Sequence, residues 1–270
     1  MKKYTEITAA ELLCEKELLQ KRYNEKKSLG LKLDISRGKP CPEQLALSLP
    51  MLDVVNSKTE NFKCESGFDV RNYGVVDGIP ECRRLFAEIL DAEPEEVIVT
   101  GNSSLNLFYD LIAHAVCQGV PGGKPWSECK ERKLLCPAPG YDRHFAVGEY
   151  FGFGLVTVPM KSDGPDMDMV EELVKDPAVK GIVCVPKYSN PGGVSYSAEV
   201  VERFAKLAPA APDFRIYWDN AYVVHDLYPD GEKDEVSSLL RMAKKYGNED
   251  MVYMLSSTSK VTFPTAGLAA

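Results

Sequence analysis

Two segments of the sequence place reactive side chains directly after apolar, β-rich runs. Asp219 follows the run Phe214–Trp218, and Tyr222 lies three residues further on. A carboxylate in such a position is costly to bury unless it meets a positive partner, such as a protonated ring nitrogen. Lys260 follows the hydroxyl-rich stretch 256–259, where an amine is a candidate nucleophile. Each residue also has a plainer explanation, because Asp219 can cap a helix and Lys260 can be a surface lysine.

Two further polar segments follow β-rich runs. Gly101–Ser104 precedes a helical stretch, and the free N–H groups of a helix N-terminus suit a phosphate. The same residue types are ordinary helix caps, so this segment alone does not establish a phosphate site. Asn190–Gly193, with the sequence Asn-Pro-Gly-Gly, has the composition of a turn, and its X-Pro bond is a candidate for the cis form.

The elements that must position these residues alternate along the chain. Six short apolar runs are predicted as strands covered on both faces. Helical stretches at 104–116 and 197–207 lie between some of them. This alternation predicts an α/β fold with a mainly parallel sheet, in which ligands bind at the carboxyl ends of the strands. The runs are Val97–Thr100, Lys133–Cys136, Gly154–Val158, Gly181–Val185, Phe214–Trp218 and Met251–Leu255.

Composition excludes several classes of function. The formal net charge of −8 argues against nucleic acid, which needs a clustered positive face. The eight cysteines are scattered without a C-x-x-C pair, which favours reduced thiols over disulfides or structural zinc, so no metal is expected. No apolar run approaches the roughly 20 residues of a membrane-spanning helix. Glutamates interrupt the first 19 residues, which speaks against a signal peptide and favours a cytoplasmic protein.

The N-terminal part reads as an arm. Thr8 to Glu11 forms a capping-box pattern that opens a helix, and Gly30 is its expected end. A connector with Pro40, Pro42 and Pro50 follows. We therefore expect residues 1–60 to form an N-terminal arm and part of a small domain, and residues 61–270 to form a large cofactor-binding domain.

The order of the motifs resembles one family closely. Asn190-Pro191-Gly192-Gly193 matches an NPxG turn, Asp219 to Tyr222 matches D-x-x-Y, and Ser257 to Lys260 matches S-x-x-K. The sequence is identified as similar to the fold-type-I aminotransferases that depend on pyridoxal phosphate, near aspartate aminotransferase. The resemblance runs from about Ser36 onward. It implies a three-layer sandwich with a mainly parallel central sheet, plus part of a smaller domain.

The resemblance also implies roles for the residues that touch the cofactor ring. Lys260 would hold the cofactor as a Schiff base and then carry a proton as general base and acid. Asp219 would pair with the pyridine nitrogen, so that the ring can take up electrons. Tyr222 and Asn190 would hydrogen-bond the phenolic oxygen of the ring. Tyr141, in Pro139-Gly140-Tyr141, would stack on the ring.

A second set of residues would bind the phosphate and the substrate. Ser103, Ser104 and Ser257 would hold the phosphate, with Asn102 nearby. Tyr73, in Asn72-Tyr73-Gly74, would reach the phosphate of a neighbouring subunit, which implies a homodimer with shared sites. The resemblance further implies that Gly38, together with Asn190, contacts the substrate.

Two features depart from the family pattern. Leu268 stands where relatives often carry a phosphate-binding arginine, eight residues after the lysine, so either another group balances the phosphate or the site binds it less tightly. The chain also ends ten residues past Lys260, whereas the family continues for well over a hundred residues and there supplies the arginine that binds the substrate carboxylate. We therefore expect the chain alone to be inactive or poorly folded.

Three functions stay open from the sequence. The first is transamination between an amino acid, aspartate or another dicarboxylate, and a 2-oxo acid. The second is another reaction on the same cofactor, such as β-elimination. The third is an aminotransferase-like sensor domain of a transcription regulator, which would carry a basic winged-helix segment before the arm. A Ser-His-Asp hydrolase is not favoured, because no G-x-S-x-G pattern accompanies His114, His144 or His225.

Overall fold

The computed structural model describes residues 3–34, 38–228 and 230–270. Contacts divide the chain into two units, Met1–Ala46 and Leu47–Ala270. The expected arm of residues 1–60 and large domain of residues 61–270 stay a prediction. Within the described ranges, no helix combines the length and apolar character needed to cross a membrane.

The first unit contains two helices, α1 (Ala9–Ser28) and α2 (Pro42–Ala46). The capping box is confirmed: the Thr8 hydroxyl accepts from the Glu11 N–H at 3.3 Å, and the Thr8 N–H donates to the Glu11 carboxylate at 2.8 Å. These bonds pair two backbone N–H groups, of Thr8 and Glu11, that the start of a helix otherwise leaves without a partner. Gly30 follows α1 with φ of +59°, a conformation that favours glycine just after a helix.

The second unit is built on one six-stranded sheet. Its order is β3-β2-β1-β4-β5-β6, and only the β2–β3 pair is antiparallel. Central strands β4 and β5 are buried along their whole length, which explains their unbroken apolar character. The strands are β1 (Lys133–Ala138), β2 (Gly154–Lys161), β3 (Gly164–Pro165), β4 (Val179–Cys184), β5 (Arg215–Asp219) and β6 (Val252–Leu255).

Helices cover both faces of this sheet. On one face, β-strand residues such as Ile182 and Ile216 pack against α6, α7 and α8 in a single apolar cluster. On the other face, Val183 and Tyr217 pack in a cluster with residues of α4 and α5. The mainly parallel three-layer arrangement expected from the sequence is therefore confirmed. The helices of this unit are α3 (Pro80–Leu90), α4 (Ser104–Cys117), α5 (Asp142–Tyr150), α6 (Met167–Leu173), α7 (Ala198–Ala205) and α8 (Leu239–Lys244).

One strand prediction is wrong. Val97–Thr100 is extended but lies outside the six-stranded sheet. The Val99 N–H donates to the Asp77 carbonyl at 2.9 Å, and the Thr100 N–H donates to the Ala269 carbonyl at 2.9 Å. The side chains of Val97 and Val99 are buried in a separate cluster with residues of α3. The alternating apolar pattern therefore arises from packing against a helix, and Asn102–Ser104 follow this extended segment.

The amino ends of β4 and β5 enclose a buried ion pair. Lys180 Nζ lies 2.8 Å from Asp213 Oδ1, and Trp126 Nε1 donates to Asp213 Oδ2 at 2.9 Å. Both Asp213 oxygens are thus bonded, as a buried carboxylate requires. The Asp213 carboxylate at this end of the sheet is thus fully paired within the protein.

The close approach of β4 to β5 predicts the effect of adding one methyl group. A Cβ at Gly181 would lie 2.7 Å from the Arg215 carbonyl oxygen and 3.2 Å from the Tyr217 ring. We expect Gly181→Ala to destabilise the protein by about 1–3 kcal/mol, because β5 must shift to admit the methyl group. Gly154→Ala in β2 is the control, since its Cβ would meet nothing closer than 3.6 Å. Urea unfolding measures both, and equal stability of the two variants would contradict the prediction.

Candidate active site

The candidate residues lie at the carboxyl ends of adjacent strands. Parallel pairing places β1, β4, β5 and β6 side by side, with Asp219 opposite Leu255 in the register of β5 and β6. Tyr141 follows β1, Asn190 follows β4, and Lys260 follows β6 by five residues. Segments far apart in sequence therefore meet at one edge of the sheet, where ligands of such folds bind.

Asp219 is the most constrained of these residues. It is 3% exposed, and its Oδ2 lies 3.0 Å from Nε2 of His144, which is 1% exposed. Because a carboxylate only accepts, the histidine Nε2 carries the hydrogen of this bond. The second oxygen, Asp219 Oδ1, is buried and has no hydrogen-bond partner among the described residues. A buried carboxylate oxygen without a donor is costly, so this atom has the chemistry of a ligand contact.

Aromatic rings and a tight loop fix His144. The Phe108 ring lies 5.0 Å from the imidazole and the Tyr141 ring lies 5.1 Å from it, both edge-on. Tyr141 is the N-cap residue of α5, and it is delivered by a loop that contains Gly140. A Cβ at Gly140 would overlap the Pro137 carbonyl oxygen. The spacing of Tyr141 and His144, three residues at a helix start, therefore puts both rings on one face.

Tyr222 and Asn190 bring the β5 and β4 loops together. Burial raises the pKa of the Tyr222 phenol, and the nearby Asp219 and Tyr141 raise it further, while a hydrogen bond with Asn190 opposes the shift. The phenol is therefore neutral at neutral pH and available as a hydrogen-bond donor. The Asn190–Pro191 bond is cis, as its turn composition suggested.

The serine-rich start of α4 is joined to the loop after β6. Ser103 is the N-cap residue of α4 but makes no capping hydrogen bond through its side chain. The Ser259 hydroxyl donates to the Asn102 carbonyl at 3.0 Å, and the Asn102 amide donates to the Thr265 carbonyl at 3.2 Å. The Ser257 hydroxyl donates to the Ser259 hydroxyl at 3.0 Å. Ser103, Asn102 and Ser257, next to the buried Ser104, thus form one hydroxyl-rich region at a helix N-terminus.

Lys260 ends a short 3-10 turn, Thr258–Lys260, that begins three residues after β6. Its side chain is exposed, and its carbonyl oxygen lies 3.1 Å from His225 Nε2. Leu268 makes two hydrogen bonds with Thr258 through its backbone. The Thr258 N–H donates to the Leu268 carbonyl at 2.8 Å, and the Leu268 N–H donates to the Thr258 side-chain hydroxyl at 3.0 Å. Leu268 thus contributes its backbone, rather than a charge, to the loop that carries the lysine.

The roles of two of the predicted residues stay predictions. Tyr73 is 93% exposed, in a segment of the second unit before α3. Gly38 belongs to the first unit, so its expected contact with substrate stays a prediction. A small cavity behind the site is lined by Tyr141 and Asn190 among others, but its lining does not include Asp219 or Lys260.

Two histidines join the group without belonging to a sequence motif. His144 bonds Asp219 across 75 positions of sequence, and His225 bonds the Lys260 carbonyl across 35. Their spacing from Tyr141 and Tyr222, three residues in each case, is visible in the sequence. That spacing is common and carries no chemical signal of its own, so only the fold reveals these contacts.

Known proteins resemble this chain over most of its length. A family model described as aspartate amino-transferase matches residues 7–270. A Mycolicibacterium smegmatis protein, assigned by name to the aminotransferases, is 45% identical over 261 residues, which is 96% of this chain and 60% of that protein. An aspartate aminotransferase of Corynebacterium glutamicum is 43% identical over 252 residues, which is 93% of this chain and 57% of that protein.

Solved structures agree with the sequence matches. The crystal structure of an aspartate transaminase from Corynebacterium glutamicum superposes with a TM-score of 0.90 at 42% identity, covering 97% of this chain and 61% of that one. This chain thus spans about three-fifths of the length of these relatives. The match of the family model over nearly the whole chain, on a sheet whose strand ends gather the expected motifs, shows that the chain belongs to the aspartate aminotransferase family.

Proposed function

We propose that the protein containing this chain is a pyridoxal-phosphate-dependent aminotransferase that moves an amino group between an amino acid and a 2-oxo acid. The observation that carries the proposal is the unpaired Oδ1 of Asp219, a buried carboxylate oxygen at the end of β5. It lies on the strand next to the one that leads to Lys260. An acid and an amine on neighbouring strand ends are what this cofactor requires of a protein.

The residues present fit the cofactor. Its protonated ring nitrogen is a donor that would satisfy Asp219 Oδ1, the atom left without a partner in the described part of the chain. Its phosphate suits the start of α4, where the Ser103 hydroxyl is not used as a cap. We assign the phosphate to Ser103, Ser104 and Ser257, with Asn102 nearby. These groups are neutral. We propose that hydroxyls and backbone N–H groups bind the phosphate by hydrogen bonds, without a cation at the position of Leu268.

Pyridoxal phosphate, when bound, supplies an electron-withdrawing ring that stabilises the negative charge left on the substrate Cα once its proton is removed. Asp219 keeps the ring nitrogen protonated, because its buried charge favours a positive partner. His144 holds the other carboxylate oxygen and so fixes the direction of Oδ1. His144 is therefore assigned as a residue that orients Asp219.

Tyr222 and Asn190 are assigned to the phenolic oxygen of the ring. Burial raises the pKa of the Tyr222 phenol, which keeps its hydrogen in place at neutral pH. Tyr141, held at the start of α5, would stack on the ring. Lys260 would hold the cofactor and would carry the proton removed from the substrate Cα. Its exposed position leaves the side chain room to move between these tasks.

The proposed substrate is supported by a named relative, and the proposed assembly comes from the family resemblance. The named aspartate aminotransferase of Corynebacterium glutamicum, at 43% identity, favours aspartate or another dicarboxylate as substrate. Gly38 and Asn190 are assigned to substrate contact. The exposure of Tyr73 fits a residue that reaches the phosphate of a second subunit, in a homodimer with shared sites.

Replacing the lysine tests where the cofactor is attached. With Lys260→Ala, we expect the absorbance band of the lysine-linked cofactor to disappear and transamination to be lost. Lys245→Ala is the matched control, because Lys245 is an exposed lysine near the end of α8. An absorbance spectrum of each protein with pyridoxal phosphate decides the matter. A band that persists in the Lys260 variant would remove the assignment.

A comparison of two similarly buried aspartates distinguishes an effect on catalysis from an effect on stability. Asp219 is 3% exposed and Asp213 is 4% exposed, at opposite ends of β5. We expect Asp219→Asn to lower kcat per bound cofactor by about 10²-fold or more, because the negative charge facing the ring nitrogen is lost. Asp213→Asn should lower the unfolding temperature and leave kcat per bound cofactor unchanged. Similar losses of kcat in both variants would argue against the assigned partner of Asp219.

Product analysis separates transamination from elimination on the same cofactor. We expect the full-length protein to convert aspartate and a 2-oxo acid into a new pair of amino acid and oxo acid. Chromatography of the products measures this. Release of ammonia in place of that pair would indicate elimination and contradict the proposal.

A further inference from the structure

His225 contacts the candidate lysine through the backbone. Its Nε2 lies 3.1 Å from the Lys260 carbonyl oxygen. Since a carbonyl only accepts, the imidazole donates its Nε2 hydrogen to Lys260. The other ring nitrogen, Nδ1, is buried and has no partner in the described ranges. The bond to Lys260 is thus the one hydrogen bond recorded for this side chain within residues 3–34, 38–228 and 230–270.

The turn that carries His225 is itself firmly held. The His225 N–H donates to the Tyr222 carbonyl at 3.0 Å, and the two rings meet edge to face at 5.7 Å. Lys187, a buried lysine in the loop after β4, donates to the Val223 carbonyl at 3.2 Å and lies 3.5 Å from Asp226. The turn that carries His225 is therefore also held by Lys187 from the loop after β4.

Other links between the β5 and β6 loops stop short of the lysine. The Asn220 N–H donates to the Leu255 carbonyl at 2.7 Å, and the Ser256 hydroxyl donates to the Asn220 carbonyl at 3.3 Å. Both bonds lie at the strand ends, four or five positions before Lys260. The histidine bond reaches the lysine itself, at the far end of the turn Thr258–Lys260.

We propose that His225 is a positioning residue for Lys260, tying the lysine's peptide group to the turn that carries Tyr222. The proposal rests on the function assigned above to Lys260. Because the lysine side chain is exposed and flexible, the place from which its amine operates depends on its backbone. Fixing that backbone to the Tyr222 turn fixes the point from which the amine extends relative to the phenol, which limits the positions that the amine can occupy during proton transfer.

The test compares variants that keep or remove the donor, in the full-length, cofactor-loaded protein. His225→Leu removes the N–H, whereas His225→Gln retains an N–H donor at a comparable distance from Cα. His114→Leu is the control, because His114 is an exposed histidine in α4. Borohydride reduction followed by peptide mass spectrometry measures the fraction of bound cofactor fixed on Lys260. Steady-state kinetics measure kcat and KM, and thermal unfolding measures stability.

We expect His225→Leu to retain cofactor but to show a smaller fraction fixed on Lys260 and a kcat lowered by about 10- to 100-fold, with KM for the amino acid unchanged. His225→Gln should restore both quantities, and His114→Leu should match the wild type. Should the leucine variant fail to fold, His225→Asn takes its place, because its side chain is too short to reach the carbonyl.

Two outcomes would overturn the proposal. One is a donor-free variant with wild-type fixation and kcat, or with only a lower unfolding temperature. The other is a glutamine variant that behaves like the leucine variant, since the hydrogen bond would then not be the cause. Absence of fixation on Lys260 in the wild type is a separate result, which would defeat the proposed function and with it the task assigned to His225.

Discussion

Asp219 holds a charge where water does not reach, and the groups around it must offset that cost. His144 offsets it at one oxygen, and this single contact determines much of the neighbourhood. α5 begins after the short loop that follows β1, and Phe108 and Tyr141 confine the imidazole from two sides. The second oxygen is left for a donor from outside the chain. Within the described residues, the site therefore lacks one hydrogen bond, the one to Asp219 Oδ1, and a bound ligand can supply it.

The buried aspartates at the two ends of the sheet differ in how many of their carboxylate oxygens are hydrogen-bonded. At the amino end, Asp213 is bonded at both oxygens, to Lys180 and to Trp126, which completes a closed structural pair. At the carboxyl end, Asp219 has one bond, and the loops around it are joined to each other by Lys187 and His225. Rigid loops around an unsatisfied acid are a form of preorganisation, since little has to move when a ligand supplies the missing donor.

The sequence predicts the sheet well where local pattern and burial agree. The runs in β1, β4 and β5 are apolar because both sheet faces are covered, and their order along the chain gives the parallel connections. The run Val97–Thr100 has the same local character but packs on α3, a distinction that no local pattern contains. The sequence places His144 and His225 three residues after Tyr141 and Tyr222, but it does not give their bonding partners, because these contacts depend on how distant strands are ordered. The tasks of Tyr73 and Gly38 stay predictions from resemblance.

The links between the α4 start and the loop after β6 join very distant parts of the chain. Ser259 bonds Asn102 across 157 positions, and Asn102 bonds Thr265 across 163. Contacts of such long range form slowly, because a long loop must close before the bond can stabilise it. On a ribosome, β1, β2 and β4 emerge well before Thr265 does. The hydroxyl-rich region therefore forms only after the central strands have emerged and are available for pairing.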